Sequence, residues 1–488
     1  MNFADQLSNE MNPAFTLNGA RTNKSSGSYV LDLFSSGGAL RSASEKAIID
    51  KFLLAYKENP DLAMKTLFYL RDVRGGLGER RLFRVITRHM AESNDEDLTY
   101  SLDMNFDNIV EFGRWDDLLE LVDTDYRDII ADIIYFQLEE DLLSECPSLL
   151  AKWMWSENTS SKETRKKATI LRKALELYNK KYTPKGYRKV LSTLRKKIKI
   201  VESQMSAKKW GDIEYSKVPS KASLKYRGAF RKHDAERYSE YLEAVKNGET
   251  KINSSTLYPY EIVGKYLERN GFDETLEVLW DSLPNYCETP ENSLAVVDVS
   301  GSMYGQPISV AISLGLYMAE RNTGAFHNKF ITFSESPFLQ TIEGRTLQDK
   351  VDNMMDADWG MNTDISKVFD VILKTAKTYK TKASDMVKKI YIISDMEFDS
   401  CVDNSVTIFD NYKLKYKLSG YSLPEVVFWK VNELSEQVPV TMHETGTYLV
   451  SGFSPSLFSM LIGAEKLDPY GFMLKVLNSP RYESIAAE

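Results

Sequence analysis

Apolar residues in the first half of the chain recur at the spacing of helices. Between residues 43 and 155 they fall three and four positions apart, as Ile48, Phe52, Leu53 and Tyr56 do, which lines one face of a helix. The alternation of apolar and polar positions that marks a half-buried strand is not found there. The pattern therefore predicts a domain of successive helix pairs over 41–290, typical of an α-helical solenoid.

The pattern differs on both sides of this helical domain. Residues 1–40 are polar and rich in Ser, Asn and Gly, which predicts a flexible lead-in. From residue 291 to residue 488, short apolar runs alternate with helical patterns, as in a doubly wound sheet with helices on both faces. The predicted strands are 294–298, 329–334, 338–343, 389–394, 425–431 and 446–451. The predicted helices are 306–321, 346–356, 364–379, 404–418 and 455–464. We therefore predict an α + α/β fold with a Rossmann-like domain over 291–488.

Polar residues with metal-binding chemistry follow the first of these strands. The apolar run Leu294–Val297 leads directly into Asp298, Ser300 and Ser302, which offer one carboxylate and two hydroxyls. Hard oxygen ligands of this kind suit Mg²⁺ or Mn²⁺ rather than zinc. Doubly wound sheets bind ligands outside the carboxyl ends of their strands, which is where these residues are expected.

Two further loops are predicted to reach the same edge of the sheet. Thr363 precedes a predicted helix, and Asp395 follows the apolar strand 389–394. The predicted ligands of Mg²⁺ or Mn²⁺ are Asp298, Ser300, Ser302, Thr363 and Asp395. The alternative for the first three is a hydroxyl-rich turn that caps the next helix. Thr363 and its neighbour Asp364 have the alternative of an ordinary helix N-cap, and Asp395 has that of a turn residue.

The net charge of −8 conceals one strongly basic segment. From Lys162 to Lys232 the chain holds 23 Lys and Arg against five Asp and Glu, a balance of +18, so the remainder carries −26. Such a segment indicates a localised polyanion site, because cations that neutralise RNA phosphates release counterions. Within this segment the predicted RNA-binding residues are Lys185, Arg188, Lys189, Arg195, Lys208, Lys209, Lys221, Lys225, Arg227 and Arg231. Arg81, Arg84 and Arg88 are added to them, because their spacing places them on one face of an earlier predicted helix.

The basic segment also has a purely structural interpretation. Its cations could form a solvated face that pairs with acidic residues of the same chain. The interleaved aromatic residues Trp210, Tyr226 and Phe230 could stack on unpaired bases, or they could belong to the core.

Composition and the absence of several motifs argue against some classes of protein. Hydrophobic residues make up 43% of the chain, and no apolar run approaches the ~20 residues of a membrane span. Cys146, Cys287 and Cys401 form neither a disulfide framework nor a zinc motif. Because the N-terminus also lacks a signal-peptide pattern, we expect a cytoplasmic protein. Neither His-Glu-x-x-His nor Gly-x-Ser-x-Gly occurs, which favours a protein that is not an enzyme.

The five predicted metal-binding positions resemble the metal-ion-dependent adhesion site of von Willebrand factor A domains. The resemblance covers about 291–488 of the chain. It implies a central six-stranded sheet with one short antiparallel edge strand, here 338–343. It also implies a metal that mediates binding rather than catalysis.

Two stretches of the first half are similar to the TROVE module of the Ro ribonucleoprotein autoantigens. They are Arg71-x-x-Arg74-Gly75-Gly76-x-Gly78-Glu79-Arg80 and Phe112-Gly-Arg-Trp115-Asp116-Asp117-Leu118. The similarity implies a ring of HEAT-like helical repeats joined to a von Willebrand A domain. It also implies binding of small structured RNAs and misfolded RNA ends.

The whole chain resembles the domain-of-unknown-function family 2828, a Ro-like group. The stretches Lys208-Lys-Trp-Gly211 and Val218-Pro-Ser220 and the basic segment carry this resemblance. The basic segment has no obvious counterpart in Ro proteins, so RNA specificity is not carried over from them.

Together these inferences favour a cytoplasmic, non-enzymatic RNA-binding protein with an Mg²⁺ adhesion-type site. The alternative is a protein-interaction scaffold, in which the metal captures a partner's carboxylate and the basic segment docks on an acidic protein. A third hypothesis is a metal-dependent nuclease, which needs more carboxylates at the sheet edge than the sequence places there.

Overall fold

The structure is a computed structural model that describes residues 12–268, 271–287, 292–333, 337–357, 364–399, 408–462 and 466–487. The chain divides between two compact units. The sheet unit consists of the described residues of Met1–Thr66, Gly75–Leu77 and Ser254–Tyr482. The helical unit consists of those of Leu67–Arg74, Gly78–Asn253 and Glu483–Glu488.

Helices and strands are numbered in chain order. The helices of the described residues are α1 Tyr29–Ser36, α2 Glu45–Glu58, α3 Pro60–Arg71, α4 Arg80–Ala91, α5 Glu96–Met104, α6 Asn108–Phe112, α7 Trp115–Leu119, α8 Arg127–Leu143, α9 Leu150–Trp153, α10 Lys162–Tyr178, α11 Pro184–Lys197, α12 Val201–Ser206, α13 Ser220–His233, α14 Ala235–Lys246, α15 Pro259–Leu267, α16 Glu274–Asp281, α17 Gln306–Arg321, α18 Leu347–Met355, α19 Ile365–Tyr379, α20 Ile408–Leu418, α21 Leu457–Leu461 and α22 Pro469–Leu477. The strands are β1 Pro13–Phe15, β2 Arg21–Asn23, β3 Ser293–Val297, β4 Lys329–Thr332, β5 Leu339–Thr341, β6 Lys389–Ser394, β7 Glu425–Lys430 and β8 Thr447–Ser451.

The helical unit is built from helices that pack on one another through their apolar faces. α10 begins where the Ser161 side chain accepts a hydrogen bond from the backbone N–H of Thr164 at 3.2 Å, which satisfies a donor in the first turn. α10 packs on α8, and Leu171 and Leu138 of these helices are fully buried. The predicted helical character of this part of the chain is confirmed.

One predicted helix of the basic segment is divided in the structure. The apolar spacing predicts a single helix over 187–204, but α11 ends at Lys197 and α12 begins at Val201. Lys199 lies between them with φ of 52°, a left-handed conformation that a right-handed helix does not contain. Residues before and after Lys199 therefore belong to different elements rather than to one apolar face.

The sheet unit contains a six-stranded sheet, counted over the described residues, in the order β5-β4-β3-β6-β7-β8. β4 and β5 are antiparallel, and all other neighbours are parallel. Every residue of β3 is buried, as expected of a central strand covered by helices on both faces. The six predicted strands, their doubly wound arrangement and the antiparallel edge strand are confirmed.

The prediction of a flexible lead-in is wrong for residues 12–40. β1 and β2 form an antiparallel hairpin, and α1 buries Leu31 and Phe34. α1 also packs on α2, β8 and α22. The Ser- and Gly-rich composition here marks turns and a helix cap at Ser28, and the short apolar run after it supplies core residues.

The division into compact units does not follow the predicted boundaries at residues 40 and 290. Helix α15, which the sequence places in the helical domain, packs on α17 and α18 of the sheet unit. The arrangement of the other helices as a solenoid or ring stays a prediction. Within the described ranges, we find no helix that is both long enough and apolar enough to cross a bilayer.

Candidate functional site

Asp298 and Asp395 follow two adjacent parallel strands of the sheet. Val297 of β3 lies opposite Ile393 of β6, so the residues after this pair stand at the same edge. The backbone N–H of Asp298 donates to the carbonyl of Ile393 at 3.1 Å, which extends the ladder by one residue. Both aspartates are 0% exposed. The structure thus brings these two predicted ligands together at the carboxyl ends of the central strands.

The four oxygens of these carboxylates have different environments. Asp298 Oδ1 accepts from the backbone N–H of Ser300 at 2.8 Å, and its Oδ2 accepts from Ser394 Oγ at 2.6 Å. Asp395 Oδ1 accepts from the backbone N–H of Glu397 at 3.1 Å. Asp395 Oδ2 is buried and has no hydrogen-bond partner among the described residues. A buried oxygen without a partner is costly, and a cation would satisfy it.

The electrostatics of this edge also favour a cation. Burial, together with the neighbouring charge of Asp395, raises the pKa of Asp298 to about 6, although hydrogen bonds from Ser394 and Ser300 act to lower it. An ionised Asp298 is therefore unfavourable here, because water is excluded and a second carboxylate lies nearby. A divalent cation would offset both effects.

The predicted hydroxyl ligands lie on the solvent side of the two carboxylates. Ser300 Oγ and Ser302 Oγ are 3.0 Å apart, and Ser302 is exposed. Two carboxylates with two hydroxyls form the hard oxygen set that Mg²⁺ or Mn²⁺ prefers. No group of three or more His, Cys, Asp or Glu suited to a metal occurs in the part of the chain that the structure describes. The residues present fit a hard cation that also takes hydroxyl and water oxygens.

Thr363, the fifth predicted ligand, lies outside the described residues. Its neighbour Asp364 is the N-cap of α19, and its side chain accepts a hydrogen bond from the backbone N–H of Ser366 at 2.9 Å. The N-cap alternative therefore holds for Asp364.

The basic segment presents cations on the solvent faces of two helices. On α11, Lys185, Arg188 and Lys189 are exposed, whereas Tyr187, Leu191 and Leu194 are buried. On α13, Lys221, Lys225 and Arg231 are exposed and Leu224 and Phe230 are buried. Lys208 and Lys209 are exposed in the turn after α12. These eight predicted residues therefore lie where a polyanion could reach them.

Arg84 and Arg88, also predicted to bind RNA, are engaged within the chain. Arg84 forms ion pairs with Asp116, Asp117 and Glu120 at 2.6, 2.7 and 3.1 Å. Arg88 pairs with Glu92 and Asp123, each at 2.7 Å. For both arginines the structure therefore favours pairing with acidic neighbours over contact with phosphates.

The other three predicted RNA-binding arginines differ in how far they are exposed and in what they contact. Arg195 is half-buried, and its guanidinium donates to the carbonyls of Ala151 and Met154 at 2.8 and 2.7 Å. Arg227 is half-buried and donates to the carbonyl of Leu224 at 2.7 Å. Arg81 is exposed on α4. Arg195 therefore joins α11 to the segment around α9, whereas the Arg227 hydrogen bond lies within α13 itself.

The aromatic residues of the basic segment have different roles. Phe230 is 0% exposed and belongs to the core, so it cannot stack on a base. Tyr226 is half-buried, and its hydroxyl donates to Glu202 Oε1 at 3.1 Å. Trp210 is half-buried and stacks on His233, with 4.5 Å between ring centroids. Trp210 remains the best placed of the three for stacking on a base.

Family models match both halves of the chain. A model described as a domain of unknown function, DUF2828, matches residues 16–139 and 142–283, more than half of the chain. The chain belongs to the DUF2828 family. A second model, also described as a domain of unknown function, DUF7788, matches residues 292–476 of this DUF2828 protein.

One further protein and one solved structure are similar to the chain over most of its length. An uncharacterized protein of Acanthamoeba polyphaga mimivirus is 32% identical over 507 residues, which cover 96% of the DUF2828 chain and 87% of that protein. The crystal structure of the Deinococcus radiodurans Ro (RSR) protein is similar over 88% of the DUF2828 chain and 92% of its own, with a TM-score of 0.41 and 14% identity. The resemblance to family 2828 is confirmed, whereas those to TROVE modules and von Willebrand A domains stay predictions.

The two TROVE-like stretches of the DUF2828 protein meet in a buried ion pair. Arg71 Nε and Nη2 donate to Asp117 Oδ2 at 2.9 and 2.6 Å, and these side chains are 2% and 0% exposed. Asp117 also accepts from Arg84 Nε and from the backbone N–H of Arg114. Gly113 makes room for this carboxylate, since a Cβ there would lie 2.6 Å from Asp117 Oδ2. These stretches therefore fix how α3, α4 and α7 pack.

One buried charged cluster was not predicted from the sequence. Glu433 lies between two lysines, with its Oε1 2.9 Å from Lys51 Nζ and its Oε2 2.6 Å from Lys430 Nζ. The side chains of Lys51, Lys430 and Glu433 are 13%, 7% and 7% exposed. Lys430 ends the apolar run of β7, and a charge in a buried strand requires a partner. The position of Lys430 at the end of an apolar run could therefore have predicted a buried ion pair, but not that Glu433 and Lys51 take part in it.

Proposed function

We propose that this DUF2828 protein is a non-enzymatic RNA-binding protein whose helices α11 and α13 hold a small structured RNA. The observation that carries the proposal is the exposure of Lys185, Arg188, Lys189, Lys221 and Lys225 on the solvent faces of these helices. Exposed lysines and arginines keep their charge in water and neutralise phosphates by releasing counterions. The TROVE-like stretches support RNA over other polyanions.

A salt series with a matched set of substitutions tests the RNA part of the proposal. Lys185, Lys189, Lys221 and Lys225 are changed together to Gln, and binding of a stem-loop RNA is titrated at several salt concentrations. We expect the variant to bind at least tenfold more weakly at low salt. In a plot of log affinity against log salt concentration, the slope should also be less steep for the variant. The difference should be about 0.7–0.9 for each phosphate that the variant no longer neutralises.

The matched control removes the same charge elsewhere. Lys374, Lys377, Lys382 and Lys388 are exposed in the sheet unit, and changing all four to Gln should leave RNA affinity within about twofold of the wild type. Equal weakening by both sets would show attraction to net charge alone. That result, or no RNA binding by the wild type at low salt, would refute the proposal.

The second part of the proposal is that the sheet unit holds Mg²⁺ or Mn²⁺ between Asp298, Asp395, Ser300 and Ser302, with Thr363 as the further predicted ligand. The buried Asp395 Oδ2, which has no hydrogen-bond partner among the described residues, supports it. Calorimetric titration of the metal-free protein with MgCl₂ should give saturable binding, which Asp395→Asn should abolish. Binding that is unchanged in Asp395→Asn would place any Mg²⁺ elsewhere. Asp385→Asn, at an exposed position, serves as the control.

A second candidate function is capture of a protein carboxylate by the bound metal. It is favoured by the solvent-facing side of this edge, where Ser302 is exposed and the following Tyr304 is 90% exposed. An open metal coordination position there would accept an acidic side chain of a partner. Mg²⁺-dependent binding of a Glu-containing peptide that Tyr304→Ala weakens would support this function over a purely structural metal.

A further inference from the structure

The hydroxyl of Ser394 joins the two loops that carry the candidate metal ligands. Ser394 is the last residue of β6 and is 0% exposed. Its Oγ donates a hydrogen bond to Oδ2 of Asp298, the residue after β3, at 2.6 Å. The same Oγ accepts a hydrogen bond from the backbone N–H of Met396, in the loop after β6, at 2.9 Å. One buried side chain therefore ties the ends of both strands together.

The amide of Met396 fixes the direction in which Ser394 donates. A hydroxyl has one proton to donate and two lone pairs that accept. Because a backbone N–H can only donate, Ser394 accepts from Met396 and gives its own proton to Asp298. A carboxylate must be ionised to bind a cation, and a hydrogen bond to an ionised carboxylate is of the stronger, charge-assisted kind.

Backbone amides hold two more oxygens of the same pair of carboxylates. Asp298 Oδ1 accepts from the backbone N–H of Ser300 at 2.8 Å. Asp395 Oδ1 accepts from the backbone N–H of Glu397 at 3.1 Å. Three of the four carboxylate oxygens are thus held by donors, and Asp395 Oδ2 has no hydrogen-bond partner among the described residues. The two carboxylates are therefore fixed before a metal binds.

The loop after Asp395 is held on both sides of Met396. The N–H of Met396 donates to Ser394, and its carbonyl accepts from Gln437 Nε2 at 2.8 Å. Met396 and Gln437 are 1% and 3% exposed. These hydrogen bonds are buried, so water cannot readily replace them if one is lost.

A rigid set of oxygen ligands favours Mg²⁺ over Ca²⁺. Mg²⁺ requires a near-octahedral arrangement with oxygens at about 2.1 Å, whereas Ca²⁺ takes about six to eight oxygens at about 2.3–2.6 Å in flexible arrangements. Carboxylates that are held in place cannot easily move apart for the larger ion. The partners that orient metal ligands also raise affinity, and their loss typically weakens metal binding about 10–100-fold.

We propose that Ser394 is a positioning residue that makes this edge of the sheet select Mg²⁺ over Ca²⁺. Its hydroxyl holds the Asp298 carboxylate and the loop after Asp395 in one fixed arrangement. Ser394 acts through these residues and does not itself bind the metal. The inference rests on the Mg²⁺ site proposed above and adds the residue that determines its selectivity.

Calorimetric titration of the full chain with MgCl₂ and, separately, with CaCl₂ tests the proposal. The wild type should bind Mg²⁺ more tightly than Ca²⁺. In Ser394→Ala, Mg²⁺ should bind about 10–100-fold more weakly, whereas Ca²⁺ should bind within about twofold of the wild type, because it tolerates ligands that move. The ratio of the two affinities should therefore fall at least about fivefold. Ser394→Thr keeps the hydroxyl and should keep the wild-type ratio.

Ser451→Ala is the matched control. Ser451 is the last residue of β8 in the same sheet and is 1% exposed, and its Oγ accepts a hydrogen bond from the backbone N–H of Gly38 at 2.9 Å. The substitution also removes a buried hydroxyl from the end of a parallel strand, so it should lower the melting temperature. It should leave the ratio of Mg²⁺ to Ca²⁺ affinity unchanged, because Gly38 is not a candidate metal ligand.

The two proposals fail in different ways. No saturable Mg²⁺ binding by the wild type would overturn both the metal site and the role of Ser394. Mg²⁺ binding by the wild type with an unchanged affinity ratio in Ser394→Ala would overturn the role of Ser394 alone. An equal fall of the ratio in Ser451→Ala would do the same, since it would show that any loosening of the sheet alters selectivity.

Discussion

Asp117 and Asp298 are both buried carboxylates, but their surroundings are opposite. Asp117 lies between the guanidinium groups of Arg71 and Arg84, so its charge is compensated by the protein itself. Asp298 accepts hydrogen bonds from a hydroxyl and an amide and faces a second carboxylate. The first residue therefore stabilises the fold, whereas the second is destabilising until a cation compensates its charge.

Asp298→Asn should stabilise the metal-free protein at neutral pH. The folded-state pKa of Asp298 is about 6, against an ordinary value of 3.8. Because the folded protein holds this proton more tightly than the unfolded chain does, protonation of Asp298 stabilises the fold below pH 4. This contribution to the free energy of unfolding, about 3 kcal/mol, is lost as the pH rises through 6. Asn mimics the protonated form, so the melting temperature of the variant should fall less between pH 4 and pH 7 than that of the wild type.

The effect of Mg²⁺ on the melting temperature tests the same residue in the presence of the metal. Added Mg²⁺ should raise the melting temperature of the wild type at pH 7 and leave that of Asp298→Asn unchanged. A variant that melts below the metal-free wild type at pH 7 would show that the Asp298 carboxylate does not destabilise the metal-free fold.

Asp117→Asn should destabilise the helical unit by about 3–5 kcal/mol, because it leaves the buried guanidinium of Arg71 without its carboxylate, whereas Arg84 keeps Asp116 and Glu120. Urea unfolding followed by hydrogen exchange at the amides of α3, α4 and α7 measures the loss. Asp128→Asn is the control, since Asp128 pairs with Arg127 at the surface, where such pairs contribute less than about 1 kcal/mol. Similar losses in the two variants would contradict a special role for the buried pair.

At the scale of elements, the β1–β2 hairpin fixes the loop that carries Asp395. The buried Glu397 accepts a hydrogen bond from the backbone N–H of Leu17 at 2.7 Å, and Thr16 Oγ1 donates to the carbonyl of Phe398 at 2.6 Å. Met396, directly after Asp395, has φ of 68°, a strained conformation that persists only when its surroundings hold it. The hairpin is therefore expected to position a metal ligand without contacting the metal.

Thr16→Val tests this positioning role. The substitution keeps the shape of the side chain and removes two hydrogen bonds, the one that Thr16 Oγ1 donates to the carbonyl of Phe398 and the one that it accepts from the backbone N–H of Ala20 at 2.9 Å. We expect Mg²⁺ to bind severalfold more weakly and the metal-free protein to melt at a lower temperature, because two buried hydrogen bonds are lost. Thr378→Val, at an exposed position on α19, should leave Mg²⁺ binding unchanged. Wild-type affinity in Thr16→Val would show that the loop keeps its shape without the hairpin.

At the scale of the whole molecule, each compact unit is assembled from distant parts of the chain. The sheet unit takes α1 and α2 from the beginning of the chain and α15 and α16 from its middle. α15 covers α17, and α1 covers β8. These helices bury apolar side chains that a fragment starting at residue 291 would expose to water.

A fragment of residues 291–488 should therefore be far less stable than the sheet unit of the full chain. Removal of the residues that cover α17 and β8 reduces the buried apolar area, and each large side chain exposed costs about 1.5–3 kcal/mol. Circular dichroism during heating, together with binding of a dye to exposed apolar surface, measures the effect. A cooperative transition at the temperature of the full chain would show that the helices α1, α2 and α15 are dispensable.

The sequence by itself determined the local features of this protein. The strands of the sheet and the edge that carries Asp298 and Asp395 follow from apolar runs and from the polar residues that end them, since both depend on neighbouring residues. The exposed cations of α11 and α13 were predicted because the apolar positions of a helix also define its solvent face.

Only the tertiary structure decided which charges are compensated and which segments join the core. Arg84 and Arg88 have the same local pattern as exposed cations, and except for Glu92 the acidic residues that pair with them come from a later stretch of the chain. Residues 12–40 have the composition of a flexible segment but pack on a sheet whose strands begin more than 250 residues later. Interactions between distant residues decide such outcomes, because burial and pairing depend on what lies nearby in space and not on the chemistry of a single stretch.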